Sequence, residues 1–208
     1  MIVKEIEYSD KYNLCRLNIS GELFYISYEL LNDLKISKDD EIDFDTYKII
    51  LDENSYNRAK NYTLSRISYA NKTTFEVRKI LKDKGYDPDV IDRVLDFLVS
   101  YQLIDDNEFV RAYISDKSSI SGWPKNKIKY KLRLKGIPDY MIEDNLDIID
   151  DDEEYEKAMY FAKLKARDDF SFQNKNKVYR HLASKGFDYD TIGRVIGDLF
   201  SWVILFIS

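Results

Sequence analysis

The chain has 208 residues, with 32 Lys and Arg against 38 Asp and Glu, a net charge of −6, 44% apolar residues, one cysteine and one histidine. A single cysteine excludes an intramolecular disulfide and fits a reducing compartment; one cysteine with one histidine also excludes a zinc site of the usual kind within one chain. No run reaches the ~18 apolar residues of a membrane span, and the charged first ten residues do not read as a signal peptide, so a cytoplasmic protein with no membrane contact is expected.

Residues 2–7 (IVKEIE) and 12–19 (YNLCRLNI) alternate apolar and polar, which predicts strands. Ser20-Gly21 before Glu22-Leu23-Phe24-Tyr25-Ile26 predicts a tight hairpin turn. Tyr28 to Leu34 is a short helix candidate, and Glu41 to Leu51 is acidic and ambiguous. Residues 1–53 are therefore expected to form a small β-rich N-terminal subdomain. They hold 6 basic and 13 acidic residues, a net −7, which leaves 26 and 25, or +1, for the rest. That contrast predicts a segment that docks on the helical body without completing its core.

From Tyr56 onwards the pattern is helical. Gly85, Gly136 and Gly186 lie 51 and 50 residues apart, each after a lysine: Lys84, Lys135, Lys185. Before each lysine stand apolar residues four apart (Val77 and Leu81, Ile128 and Leu132, Val178 and Leu182). After each glycine follow Ile91, Ile142 or Ile192, then Leu95, Leu146 or Ile196, then Leu98, Ile149 or Leu199. A fixed period with matched punctuation means one supersecondary unit used repeatedly. Each unit reads as helix, left-handed glycine turn, helix, because a four-residue spacing marks one helical face and a glycine tolerates the turn. Thr73-x-x-Glu76 and Asp105-x-x-Glu108 read as capping boxes. Gly122-Trp123-Pro124 breaks one helix and starts the next. Nine helices are expected, three per repeat: 55–70, 74–84, 88–101; 106–118, 124–135, 138–149; and 152–168, 174–185, 188–205. The repeats are placed at 54–104, 105–150 and 151–208, the last with an apolar tail from Phe200 that should pack over the open end of the stack. The fold class is mostly α: three tandem three-helix repeats in a curved helical array behind the β-rich start.

Catalytic signals are thin. There is no phosphate-binding GxxxxGK[ST], no GxGxxG and no nucleophile elbow. His181 sits in a basic helix, where surface placement is the better reading. Asp105-Asp106 and Asp150-Asp151-Asp152 could hold Mg²⁺, but each stands where a helix N-terminus favours negative charge. No catalytic residue, metal or cofactor is expected.

Charge is more informative. The middle helices are basic: 76–84 is +2, 125–135 is +6 and 175–185 is +4, while the third helices 87–98, 138–149 and 188–199 are −3, −4 and −2. Complementarity between adjacent helices covers part of this. Lys125, Lys127, Lys129, Lys131, Arg133 and Lys135, at every second position, exceed what such pairing needs. With Arg78, Lys82, Lys177 and Arg180 they are the candidate partner- or DNA-binding residues. A helix-turn-helix DNA reader would insert the second helix of the pair. Here that helix is acidic in all three repeats, which disfavours sequence-specific reading. A generic helical-repeat scaffold, or a DNA-binding protein with another partner, stays open at this point.

The segments YNLCRLNISGELFYIS, LKDKGYDPDVIDRVLDFL with LIDDNEFVRAYI, GWPKNKIKYKLRLKGI and KVYRHLASKGFDYDTIGRVI follow one another in an order that resembles the regulatory protein RecX family. The resemblance implies three tandem three-helix repeats and a non-enzymatic role. It implies binding to RecA recombinase and to its filament on single-stranded DNA, with possible direct DNA contact. It further implies restraint of RecA ATPase, strand exchange and coprotease activity in DNA repair and the SOS response, by a monomer. Tyr101-Gln102-Leu103 departs from the family pattern, which often has glycine there, so a different helix end is expected.

Overall fold

The computed structural model describes residues 1–9 and 14–205, with side chains to Ser201. It divides into two compact units, Met1–Ile104 and Asp105–Ser208.

In the first unit, β1 (Val3–Ser9), β2 (Leu14–Ile19) and β3 (Glu22–Ser27) form an antiparallel sheet in the order β1-β2-β3. Ser20 and Gly21 both have positive φ, 54° and 103°. That is the geometry of a two-residue hairpin loop whose twist matches the strands, and it sets Leu17 opposite Phe24. Alternation buries Cys15, Leu17 and Ile19 on one face with Val3, Phe24 and Ile26. Leu31 of α1 (Tyr28–Asp33) and Ile50 of α2 (Phe44–Ile67) close this core.

The helix expected to begin at residue 55 begins at Phe44. Asp43 caps it, accepting from Thr46 N–H at 2.7 Å, and Ile50 belongs to the sheet core, so residues 44–51 of the acidic stretch are drawn into helix. One 24-residue helix thus serves two cores: its first part covers the sheet, and Ala59 packs with α3 (Thr74–Asp83) and α4 (Pro88–Ser100). Arg93 of α4 reaches Asp52 at 2.5 Å and Glu53 at 2.8 Å. At the outer edge of β3, Tyr25 N–H donates to Asn54 Oδ1 at 2.9 Å, and Asn57 Nδ2 donates to the Tyr25 carbonyl at 3.2 Å.

The second unit holds α5 (Asp106–Ser115), a π-helical turn (Asp116–Ile120), α6 (Lys125–Leu134), α7 (Asp139–Glu143), a 3₁₀ turn (Leu146–Ile148), α8 (Asp151–Ala166), α9 (Phe172–Lys185) and α10 (Tyr189–Leu205). Two expected helices are shortened. The one expected over 106–118 changes to π geometry at Asp116 before Gly122, whose φ is 61°. The one expected over 138–149 breaks at Asn145, whose side chain donates to the Met141 carbonyl at 2.8 Å and accepts from Arg111 Nε of α5 at 3.0 Å. α10 continues to Leu205. Packing of the tail from Trp202 lies outside the described side chains.

The repeat is built as its spacing implies. Val77, Ile128 and Val178, Leu81, Leu132 and Leu182, and Ile91, Ile142 and Ile192 are all buried. Each glycine turn has positive φ (83°, 76° and 99°), and the next residue bonds back to the buried leucine: Tyr86 to Leu81, Ile137 to Leu132, Phe187 to Leu182. This is the six-to-one closure that satisfies the last carbonyls of a helix. The end of α4 uses the same closure, with Leu103 N–H donating to Leu98 and Gln102 taking φ 53°. The helix therefore ends as a glycine would end it, correcting the expectation of a different geometry.

Candidate partner-binding site on the second and third repeats

α6 is helical because Ile128 and Leu132 bury one face. Pro124 supplies no capping side chain. Instead Glu154 of α8 reaches across and accepts from the Lys125 N–H at 2.9 Å, closing an N-terminal donor of α6 from the next repeat. Glu154 is 2% exposed, and its Oε2 has no hydrogen-bond partner among the described residues. Burial holds its carboxyl above the ordinary value, while the Lys125 N–H and ammonium pull the other way.

The six cations of this helix divide by partner. Lys125 pairs with Asp151, Lys129 lies 2.9 Å from Glu143, and Arg133 Nε lies 2.6 Å from Asp139. The hydrogen bond from Arg133 holds the Asp139 carboxyl below its ordinary range. These three meet the acidic segments that follow α6, so helix-to-helix complementarity accounts for them. Lys135 lies 5.2 Å from the Phe109 ring. Lys127 and Lys131, four apart on one face, have aromatic neighbours instead: Lys127 Nζ is 4.1 Å from the Trp123 ring centroid, and Lys131 Nζ is 5.7 Å from that of Tyr130.

These two lysines line a cleft of about 560 Å³ with Trp123, Tyr130, Phe161 and Lys185, and no carboxylate is among its described lining residues. Lys185 Nζ lies 4.0 Å from the Phe161 centroid. The turn at Gly186 forms part of the wall, and its Cα hydrogen points at Lys127, where an added Cβ would come within 3.0 Å of Lys127 Cβ. A second cleft of about 630 Å³ shares Phe161 and Lys185 and adds Lys165, Arg167, Lys177 and His181, with Asp169 as its acidic member. Burial, then Lys185 and Lys165, hold the His181 imidazole below its ordinary value.

Of the other candidates, Arg78 pairs with Asp92 at 2.6 Å within the first unit, and Lys82 is exposed there. Lys177 and Arg180 are exposed on α9. Asp105 and Asp150 cap α5 and α8, each accepting two backbone N–H groups. Sequence reasoning passed over Trp123, Tyr130, Phe161, Lys185 and Glu154. The Trp123–Lys127 spacing was visible, but the partners from α8 and α9 come from the fold.

Three family models match in order: the first three-helix domain of RecX at residues 59–98, the second at 105–146 and the third at 151–196. The chain is 35% identical to the regulatory protein RecX of Clostridioides difficile over 97% of both chains. It is 32% identical to that of Clostridium perfringens, over 89% of this chain and 91% of the other. Among solved structures, a regulatory protein RecX shares the fold at a TM-score of 0.76 and 22% identity, covering 96% of this chain and 98% of the other. RecX from Lactobacillus salivarius aligns at 0.64 and 29% identity, covering 70% of this chain and 96% of that one.

Proposed function

The chain belongs to the RecX family of regulatory proteins, and from that membership we propose that it regulates the RecA recombinase. It binds RecA and RecA filaments on DNA and mainly inhibits their ATPase, strand-exchange and coprotease activities. It acts by binding and not by catalysis, in the cytoplasm, as a monomer. The observation that carries this reading is the match of all three repeat models in order, together with identity to RecX proteins over nearly the whole chain.

The main contact is the basic middle helix of the second repeat. Its support is physical: Lys127 and Lys131 of this helix, with Lys185, line a cleft whose described lining residues include no carboxylate. Such a surface suits a nucleoprotein filament that presents phosphates and acidic side chains. The test is RecA's DNA-dependent ATPase and filament length with the protein added. Inhibition that weakens as salt rises is expected; a RecA ATPase indifferent to the protein would overturn the reading.

A further inference from the structure

The geometry points to a nucleotide-recognising subsite in the cleft between the second and third repeats, where the exposed Tyr130 ring takes a base and Lys127, Lys131 and Lys185 take its phosphate. This rests on the regulatory reading for its setting but not for its chemistry.

Three observations carry it. The first is that three ammonium groups converge on one cleft with no carboxylate among its described lining residues, whereas neighbouring Lys125, Lys129 and Arg133 are all neutralised. The three ammonium groups of the cleft lie on or beside aromatic rings. The second is the composition of the wall. Tyr130, 57% exposed, offers a flat π-face, and Trp123 and Phe161 carry the Lys127 and Lys185 ammonium groups over their rings. Cations beside aromatic faces form the pattern that holds unpaired nucleotides by stacking and charge together. The third is size and continuation. About 560 Å³ falls in the range of a small-ligand pocket, and the adjoining cleft carries on the positive charge with Lys165, Arg167 and Lys177. Repeated cations along a path match the repeated phosphates of a strand. An acidic peptide would use the charge but leave the Tyr130 face without a partner.

The test uses the full-length protein and a short fluorescein-labelled oligothymidylate, without RecA, followed by anisotropy. Binding is expected, with log affinity falling against log salt at a slope of about −2, since each phosphate neutralised on a single strand contributes about −0.7. Replacing Lys127, Lys131 and Lys185 together by Gln should flatten that slope and weaken binding about tenfold or more at low salt. Tyr130→Leu should weaken binding at least about fivefold, the lower range for loss of one stacked base, and Tyr130→Phe should restore it. Thermal melts confirm that these exposed or half-buried substitutions leave the fold intact. Thymidine monophosphate distinguishes the sources. Displacement at concentrations comparable to the strand's assigns the site to free nucleotide, and displacement only in large excess assigns it to a strand. Equal displacement by polyglutamate of matched charge, or wild-type affinity in the triple variant, would overturn the subsite. RecA ATPase measured on the same samples separates the two readings. Oligonucleotide binding lost in the triple variant supports the cleft whatever RecA does, and a wild-type protein that binds the strand yet leaves RecA untouched overturns the regulatory reading alone.

Discussion

Gln102 occupies a position that the closing bonds of α4 reserve for a left-handed residue, with φ 53°. An L side chain there costs about 1–2 kcal/mol, part of which glycine returns as chain entropy. Gln102→Gly should therefore raise stability by about 1 kcal/mol, seen as a higher melting temperature; an unchanged or lower midpoint would count against the strained turn. Glu154 makes a second residue-scale test. Burial raises its carboxyl pKa above the ordinary 4.5. Between 4.5 and the folded value the native chain then binds more protons than the unfolded one. The stability Glu154 contributes is full below 4.5 and is lost as pH rises through the folded value. Glu154→Gln keeps an acceptor for the Lys125 N–H and carries no charge to bury. It should match or exceed the wild type at neutral pH, with its advantage shrinking as pH falls to 4.5, whereas Glu154→Ala should destabilise at every pH. Urea titrations across that range decide it. The turn glycines were legible because spacing and chemistry coincide in KG motifs. Gln102 was not, because the cost of its conformation is met by closing bonds that sequence does not display.

At the scale of elements, the repeat helices could be read because their determinants are local: four-residue apolar spacing, a capping threonine, a glycine stop. Thr73 and Glu76 form the reciprocal box that their spacing announced. What could not be read depends on tertiary partners. α7 stops because Asn145 bonds to Arg111, and α2 starts early because Ile50 completes a distant core. Half of the candidate site fell on the same divide. Lys127 and Lys131 stood in the basic run, yet only the fold separates them from Lys125, Lys129 and Arg133, which acidic residues neutralise. The seating of α6 against the Gly186 turn can be tested alone. Gly85→Ala and Gly186→Ala both force an L residue to positive φ, but Gly85 has open space around its missing Cβ while Gly186 meets Lys127 at 3.0 Å. Gly186→Ala should be the more destabilising of the two, by roughly 1 kcal/mol or more, since overpacking typically costs about 1–3 kcal/mol. Equal midpoints in paired melts would show that Lys127 yields without cost.

For the whole molecule, α2 decides how the chain can be cut. Sequence composition suggested that residues 1–52 are dispensable to the helical body. The helix that begins at Phe44 runs through residue 53, and a chain starting near Asn54 would lose its first ten residues together with the Asp52 and Glu53 partners of Arg93. That fragment should melt without cooperativity in its first repeat, while Met1–Ile104, which holds both of its own cores, should retain a sigmoidal melt. Circular-dichroism melts of both fragments check this, and a cooperative Asn54 fragment would restore the separable segment. The amides of Asn54 and Asn57 that close the edge of β3 also bear on how the chain is made. A sheet edge with unpaired peptide groups is a template for another chain, and the Tyr25 N–H waits for Asn54 and its carbonyl for Asn57. Thirty residues separate Ser27 from Asn57. At ~5–20 residues per second the nascent sheet is complete but unguarded for about 2–6 s of elongation. Asn54→Ala with Asn57→Ala would extend that interval for the life of the protein, and the expected readout is a larger insoluble fraction on rapid overexpression that slower translation does not cure.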